Sequence, residues 1–221
     1  ESPSTTAVTE SWNGSSWTEV NDLNTARHTF HGVGTQTSAL AFGGDGPPTH
    51  LAVTELWNGT NWTEVNDLNT GVQGNGGAGA DNTAALSFGG TVPPAPAGTT
   101  QTELWNGYVW TEVNDLNVAN KNQGGAGTTS SGLEFGGGPG IVATCESWNG
   151  TNWTEVGDLN TAVSQLGGCG ASNTAALAFG GSDPSGDTAG TELWNGSNWT
   201  EVNNINTARR GLTGNRIGSS T

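Results

Sequence analysis

The chain has 221 residues, of which 32% are hydrophobic and 11% charged, with 37 glycines and a formal charge of −15. Five basic residues against twenty acidic ones leave no Lys/Arg surface for phosphates, so neither a nucleic-acid partner nor an anionic membrane surface is expected. No apolar run approaches the length of a membrane-spanning helix, so no membrane insertion is expected, and the N-terminus lacks the basic and apolar segments of a signal peptide.

This composition would lean toward disorder were it not periodic. The stretch Thr54-Glu55-Leu56-Trp57-Asn58-Gly59-Thr60-Asn61-Trp62-Thr63-Glu64-Val65-Asn66-Asp67-Leu68-Asn69 recurs five times, nearly letter for letter. Its first tryptophan falls at Trp12, Trp57, Trp105, Trp148 and Trp194, and its second five positions later, at Trp17, Trp62, Trp110, Trp153 and Trp199. Every tryptophan in the chain is thus a repeat residue. Residues 1–221 are expected to form one domain of five repeats.

Each repeat reads as four short strands. In the second, Val53 to Trp57 and Asn61 to Val65 flank an Asn-Gly hairpin signal. The polar connection Asn66 to Thr70 follows, built from Asx-type turn residues. Next come a Gly/Ala segment, Gly74 to Ala80, and a strand, Ala84 to Phe88, that ends in Gly89-Gly90. Glycine weakens a strand unless another backbone approaches closely, and the inner strands of a narrow propeller meet that condition. The repeat length varies almost wholly after the double glycine, so one loop per repeat absorbs the insertions.

The Phe-Gly-Gly strand ends (Phe42-Gly43-Gly44, Phe88-Gly89-Gly90, Phe135-Gly136-Gly137, Phe179-Gly180-Gly181), each followed by an acidic residue and two tryptophans, resemble the kelch repeat of β-propellers. The longer string resembles repeat proteins of marine bacteriophages, known at most as virion structural or fibre proteins. The resemblance covers essentially the whole chain. It implies an all-β, five-bladed kelch-like β-propeller whose closing blade is shared between the two termini. The outer strands of that blade are expected in Ala7 to Val20 and its inner strand in Gly211 to Ile217. No second strand is evident. Either the blade is incomplete, or the residues belong to a longer chain, or another subunit supplies the strand. The expected core comprises the tryptophan pairs, the valine after each Thr-Glu, and Leu40, Phe42, Leu86, Phe88, Leu133, Phe135, Leu177 and Phe179.

Catalytic chemistry is not expected. His28, His31 and His50 have no Cys/His/Asp set to complete a zinc site. The single Tyr108 lies in a hairpin turn, which excludes the copper chemistry of galactose-oxidising propellers. Two rings of glutamates (Glu10, Glu55, Glu103, Glu146, Glu192 and Glu19, Glu64, Glu112, Glu155, Glu201) are equivalent copies. Glycoside hydrolysis needs two carboxyls with different environments, so a structural role is expected for both rings. Cys145 stands where other repeats have threonine and Cys169 where they have alanine, and no disulfide between them is expected. The sequons at Asn13, Asn58, Asn61, Asn149, Asn152, Asn195 and Asn198 are read as turn chemistry.

The functional expectation is therefore a non-enzymatic structural or adhesive module on a virion or extracellular surface, in contact with other virion or surface proteins or a receptor. The alternative is a multivalent lectin that binds cell-surface glycans, one weak site per blade. Its candidate ligand-binding residues are Asp22, Asn24, Asn66, Asp67, Asn69, Asn114, Asp115, Asn117, Asp158 and Asn160. No cofactor is expected; the same loops offer oxygen ligands to calcium but lack the spacing of an EF-hand. A homo-oligomer, or a strand supplied by another chain, is compatible with the incomplete closing blade.

Overall fold

The computed structural model describes residues 5–47, 49–94 and 97–214. The chain opens with an antiparallel hairpin, β1 (Thr9–Trp12) and β2 (Trp17–Val20). The first blade follows: β3 (His31–Thr35), β4 (Ser38–Phe42), a two-residue hairpin of β5 (Asp45–Gly46) and β6 (Thr49–His50), then β7 (Thr54–Trp57) and β8 (Trp62–Glu64). The second blade is β9 (Gly76–Asp81), β10 (Ala84–Phe88), β11 (Thr102–Trp105) and β12 (Trp110–Glu112). The third is β13 (Gly124–Thr128), β14 (Ser131–Phe135), β15 (Cys145–Trp148) and β16 (Trp153–Glu155). The fourth is β17 (Gly167–Ser172), β18 (Ala175–Phe179), a small hairpin of β19 (Ser182–Asp183) and β20 (Gly186–Asp187), then β21 (Thr191–Trp194) and β22 (Trp199–Glu201).

Each blade is a four-stranded antiparallel meander, in the order β3-β4-β7-β8, β9-β10-β11-β12, β13-β14-β15-β16 and β17-β18-β21-β22. The first strands of successive blades, β3, β9, β13 and β17, pack side by side around one axis, and the arrangement is that of a β-propeller. The axis is as tight as the Gly/Ala segments imply. A Cβ on Gly168 would lie 2.7 Å from the Gly125 carbonyl oxygen, and one on Gly125 would collide with the Gly77 carbonyl. Only glycine lets these backbones approach so closely.

A second ring of contacts runs around the axis beside the inner strands. Thr29, Gly74, Asn122, Gln165 and Gly211, one per repeat, all have a positive φ of 51° to 69°. They are linked head to tail: Gly74 N donates to Thr29 O at 2.9 Å, Asn122 N to Gly74 O at 2.7 Å, Gln165 N to Asn122 O at 2.8 Å and Gly211 N to Gln165 O at 2.9 Å.

Four blades are complete among the described residues, rather than the five expected from the repeat count. Hairpin β1–β2 stands outside these four sheets, leaving a seam between the first and fourth blades, and among the described residues β1 pairs with β2 alone. Of the inner strand expected over Gly211 to Ile217, the residues up to Gly214 form no strand, and the remainder lies outside the described residues.

The core follows the repeat except at that seam. Leu40, Phe42, Leu86, Phe88, Leu133 and Phe135 are fully buried, as are the tryptophans from Trp105 onward and Trp57. The second-strand phenylalanines of the first three blades meet the second tryptophan of the next blade edge-on: Phe42–Trp110 and Phe88–Trp153 at 5.0 Å, Phe135–Trp199 at 5.1 Å. Trp12 and Trp17 depart from the expected core, being 44% and 63% exposed. Trp62, Leu177 and Phe179 are only half-buried. All five border the seam, where the blade that would cover them is incomplete. The valines are peripheral: Val20, Val65, Val113 and Val156 are half-buried and Val202 is exposed.

Candidate functional site

The connection after each outer strand was read as polar, yet its leucine is buried: Leu23, Leu68, Leu116 and Leu159 are 3–8% exposed. Backbone bonds tie it to the variable loop of the same blade, from Leu68 N to Ala52 O, Leu116 N to Thr100 O and Leu159 N to Ala143 O. The two loop sets therefore meet on one face. With the leucine anchored, the asparagine after it reaches the next blade.

That asparagine grips a buried glutamate of the neighbouring third strand. Glu146 Oε2 accepts from Asn117 N at 2.9 Å and Asn117 Nδ2 at 2.6 Å, while Oε1 accepts from Val118 N at 3.0 Å. The same three-point grip joins Asn24 and Thr25 to Glu55, Asn69 and Thr70 to Glu103, and Asn160 and Thr161 to Glu192. These four glutamates are at most 7% exposed. Burial pushes the Glu103 carboxyl up, against the pull of its hydrogen bonds to Asn69 and Thr70. Glu10 of the same ring is exposed, and Glu19, Glu64, Glu112, Glu155 and Glu201 all face solvent.

The aspartates and first asparagines of these loops also bond internally. Asp22 Oδ1 accepts from Thr9 N at 3.3 Å, Asp67 Oδ1 from Thr54 N at 3.1 Å and Asp115 Oδ1 from Thr102 N at 3.2 Å. Asp158 is exposed. Asn66 Nδ2 donates to Tyr108 O at 2.7 Å, and Asn114 Nδ2 to Thr151 O at 3.0 Å. Of the candidate ligand-binding residues, Asn24, Asn66, Asn69, Asn114, Asn117 and Asn160 thus bond across a blade boundary, Asp22, Asp67 and Asp115 fasten the connection within its own hairpin or blade, and Asp158 is exposed. Among the described residues no group of three or more His, Cys, Asp or Glu could hold a metal ion. The hairpin asparagines act as turn residues: Asn58 Oδ1 accepts from Thr60 N and Asn61 N, both at 2.9 Å.

Several polar groups are buried that the repeat pattern did not single out. Arg27 and Glu55 form an ion pair of 3.1 Å with both side chains inaccessible to solvent, and the Arg27 guanidinium is held below its ordinary pKa by burial, which outweighs the opposing pull of Glu55. Arg27 occupies the position of Val72, Asn120, Val163 and Arg209, a column that mixes charged, polar and apolar residues and so gave little signal of its burial. Glu134 stands where Ser87 stands in the second blade; it is 1% exposed and accepts from Asn120 Nδ2. Burial, and then the Glu146 charge, push its carboxyl well above the usual range. His31 is buried against Phe42, at 5.9 Å between rings, and burial lowers its pKa to about 4.

Third-strand threonines accept from the next blade's second tryptophan: Trp110 Nε1 donates to Thr54 Oγ1 at 3.0 Å and Trp153 Nε1 to Thr102 Oγ1 at 3.1 Å. At the last boundary Cys145 replaces the threonine, and Trp199 Nε1 is buried without a hydrogen-bond partner. Both cysteines are free, and burial pushes the Cys145 thiol up.

A cavity of about 660 Å3 runs beside the axis, past Gly74, Asn75, Asn122 and Gly125, and reaches the seam. His31, Val33, Leu40 and Trp62 line it from the first blade, and Leu166, Gly168 and Leu212 to Gly214 from the fourth.

The chain matches no family model and no curated protein. The boundary polar groups are spent on holding blades together. Glu134 accepts from the Asn120 side-chain amide and lies opposite Glu146 in the strand pair, next to Cys145.

Proposed function

We propose that this chain is a non-enzymatic structural or adhesive propeller module, kelch-like in repeat, working at a virion or extracellular surface through contacts with other proteins or a receptor. Five repeats close around one axis in its finished form. One observation carries the reading: Glu55, Glu103, Glu146 and Glu192, with Asn24, Asn69, Asn117 and Asn160, are consumed in blade-to-blade bonds. The most repeated polar chemistry in the chain is thus devoted to rigidity. A glycan site built on the asparagines of these loops would have to break bonds that join the blades, and one built on Asp22, Asp67 or Asp115 would have to free the bond that fastens the loop to its own strand. The divergent loops after the double glycines supply a face that varies from blade to blade, as a protein-contacting surface does.

The test is glycan-array binding of the folded chain with and without calcium, beside cross-linking of the chain to surface proteins of its source particle or cell. A blank array with specific cross-links supports the reading. Saturable binding to one sugar class, lost in Asp67→Ala and Asp115→Ala, would replace it with the multivalent lectin.

A further inference from the structure

The strands of this propeller are close to interchangeable. The second strands of the second and fourth blades, Ala84–Phe88 and Ala175–Phe179, read Ala-Ala-Leu-Ser-Phe and Ala-Ala-Leu-Ala-Phe, and each runs on into Gly-Gly. Their inner strands open alike, with Gly76-Gly77-Ala78-Gly79 against Gly167-Gly168-Cys169-Gly170. The asparagine-to-glutamate grip is also the same wherever it occurs. An inner strand paired with the second strand of another blade, in the same chain or in a second copy, would keep its main-chain ladder, the buried leucine and the buried phenylalanine. Repeated contacts of this kind hold a blade together without saying which blade it is.

One buried layer does differ from blade to blade. It joins the connection that leads into the inner strand to the residue just before the second-strand phenylalanine. In the second blade Asn75 Nδ2 donates to Ser87 Oγ at 2.9 Å, and both residues are 5% exposed. In the third blade Gln123 and Glu134 hold those two places. There Asn120 Nδ2 donates to the Glu134 carboxyl and to Gly136 O at 2.7 Å, while Gln123 Nε2 donates to Phe88 O of the preceding blade at 2.8 Å. In the fourth blade the layer is apolar, with Val163, Leu166 and Ala178 all buried. In the first, Arg27 donates to Ala41 O, pairs with Glu55 at 3.1 Å and lies over the Phe30 ring.

Polar therefore meets polar within the second and third blades, and apolar meets apolar within the fourth. The single difference between strands Ala84–Phe88 and Ala175–Phe179, Ser87 against Ala178, falls in this layer. The fourth blade shows that the layer folds without polar groups, and a buried polar pair is often no more stabilising than an apolar one. What such a pair does supply is discrimination, because a mismatched strand leaves a buried polar group without its partner. Setting Val163 and Leu166 against Glu134, for example, would deprive that carboxyl of the Asn120 amide inside the core.

We infer that this layer is a set of blade-specific keys. Each key assigns an inner strand to its own second strand, and so keeps near-identical repeats from exchanging strands with one another or with a second copy of this chain.

Two variants of unchanged composition test it. The mismatched variant, Ser87→Ala with Ala178→Ser, exchanges the second-strand halves of two keys and leaves the connections alone. The transferred variant adds Asn75→Leu and Leu166→Asn, so that both keys are whole again, each in the other's blade. Each chain is unfolded in urea, refolded at high protein concentration, and read by light scattering and by the indole N–H signals of its ten tryptophans. The wild-type chain and the transferred variant are expected to return as a single species. The mismatched variant is expected to return with extra indole signals and higher-mass species, its mispaired fraction raised roughly tenfold, the ratio that one unpaired buried polar group is worth. Equal behaviour of the two variants, whether both return as one species, both as mixtures or both fail to fold, overturns the proposal. So does a mismatched variant that is less stable yet returns as one species, since the pairs would then be packing and nothing more. A third variant, Asn75→Leu with Ser87→Ala, makes the layer of the second blade identical to that of the fourth, Val72 and Val163 being alike already. It leaves no polar group unmatched and should fold, but to a mixture; a single species from it overturns the proposal as well.

Discussion

Glu146→Ala and Glu10→Ala alter the same repeat position and should differ sharply. Glu146 is 4% exposed and accepts three hydrogen bonds, from Asn117 N, Asn117 Nδ2 and Val118 N, at 2.9, 2.6 and 3.0 Å. Each bond to a charged acceptor is worth about 1.5–3 kcal/mol, and the two backbone donors lose their acceptor when the carboxylate goes. Simple addition would exceed the net effect, because water reaches the exposed Asn117 side and the desolvation cost of the carboxylate disappears with it. A loss of about 3–5 kcal/mol is the expected outcome, which for a chain of this size lowers Tm by roughly 6–20 °C. Glu10 accepts no comparable set and is exposed, so Glu10→Ala leaves Tm unchanged. Thermal unfolding followed by near-ultraviolet circular dichroism measures both. Equal shifts for the two variants would refute the assignment of the glutamate ring to blade-to-blade latching.

Further outcomes follow from the buried polar groups. Cys145→Thr gives Trp199 Nε1 the hydroxyl acceptor that Trp110 and Trp153 have, and should raise stability by about 1 kcal/mol in denaturant unfolding. His31 has a folded pKa of about 4 against an ordinary 6.5. Below pH 6.5 the unfolded chain therefore takes up a proton that the native chain refuses, and stability falls until about pH 4, by up to roughly 3 kcal/mol. His31→Gly, the residue of the other three blades, should remove that slope in paired pH titrations of unfolding. Glu134 has the opposite sign: its raised folded pKa means the native state keeps a proton that the unfolded state releases, so stability falls as pH rises from the ordinary carboxyl value. Glu134→Gln, which still accepts from Asn120, should stabilise the chain at neutral pH and lose that advantage on acidification; a variant no more stable at pH 7 would remove Glu134 from the account.

The sequence carried the blades well because each strand has a local signal. The Asn-Gly hairpins fall where expected, with Val53 to Trp57 realised as Thr54–Trp57 and Ala84 to Phe88 found as read. The double glycines end their strands at positive φ, 66° and 101° at Gly136 and Gly137. What was not legible depends on neighbours rather than on the residue itself. Trp12 and Trp105 sit in nearly the same local sequence, yet one is 44% and the other 1% exposed, because burial of a propeller residue is conferred by the adjacent blade. The polar connections were taken for candidate ligands because Asn and Asp at repeated loop positions look alike whether they face a sugar or a glutamate. The discriminating signal is the aliphatic residue between them, Leu23, Leu68, Leu116, Leu159 and Ile205, which marks a connection anchored in the core. Arg27 gave little signal of its own, because its column also holds Val72, Asn120, Val163 and Arg209.

The number of blades and the number of repeats differ by one, and the backbone at the axis explains how. Propeller closure is a matter of the angle between neighbours, and that angle is recorded in the chain of left-handed residues from Thr29 to Gly211. Five members are present and four links join them. Gly211 is bonded to Gln165 in the same way as Gln165 is to Asn122, while hairpin β1–β2 is held against the first blade through Asn24 and Thr25 on Glu55 and Trp62 on Thr9. The two pieces are placed by their own neighbours and not by each other.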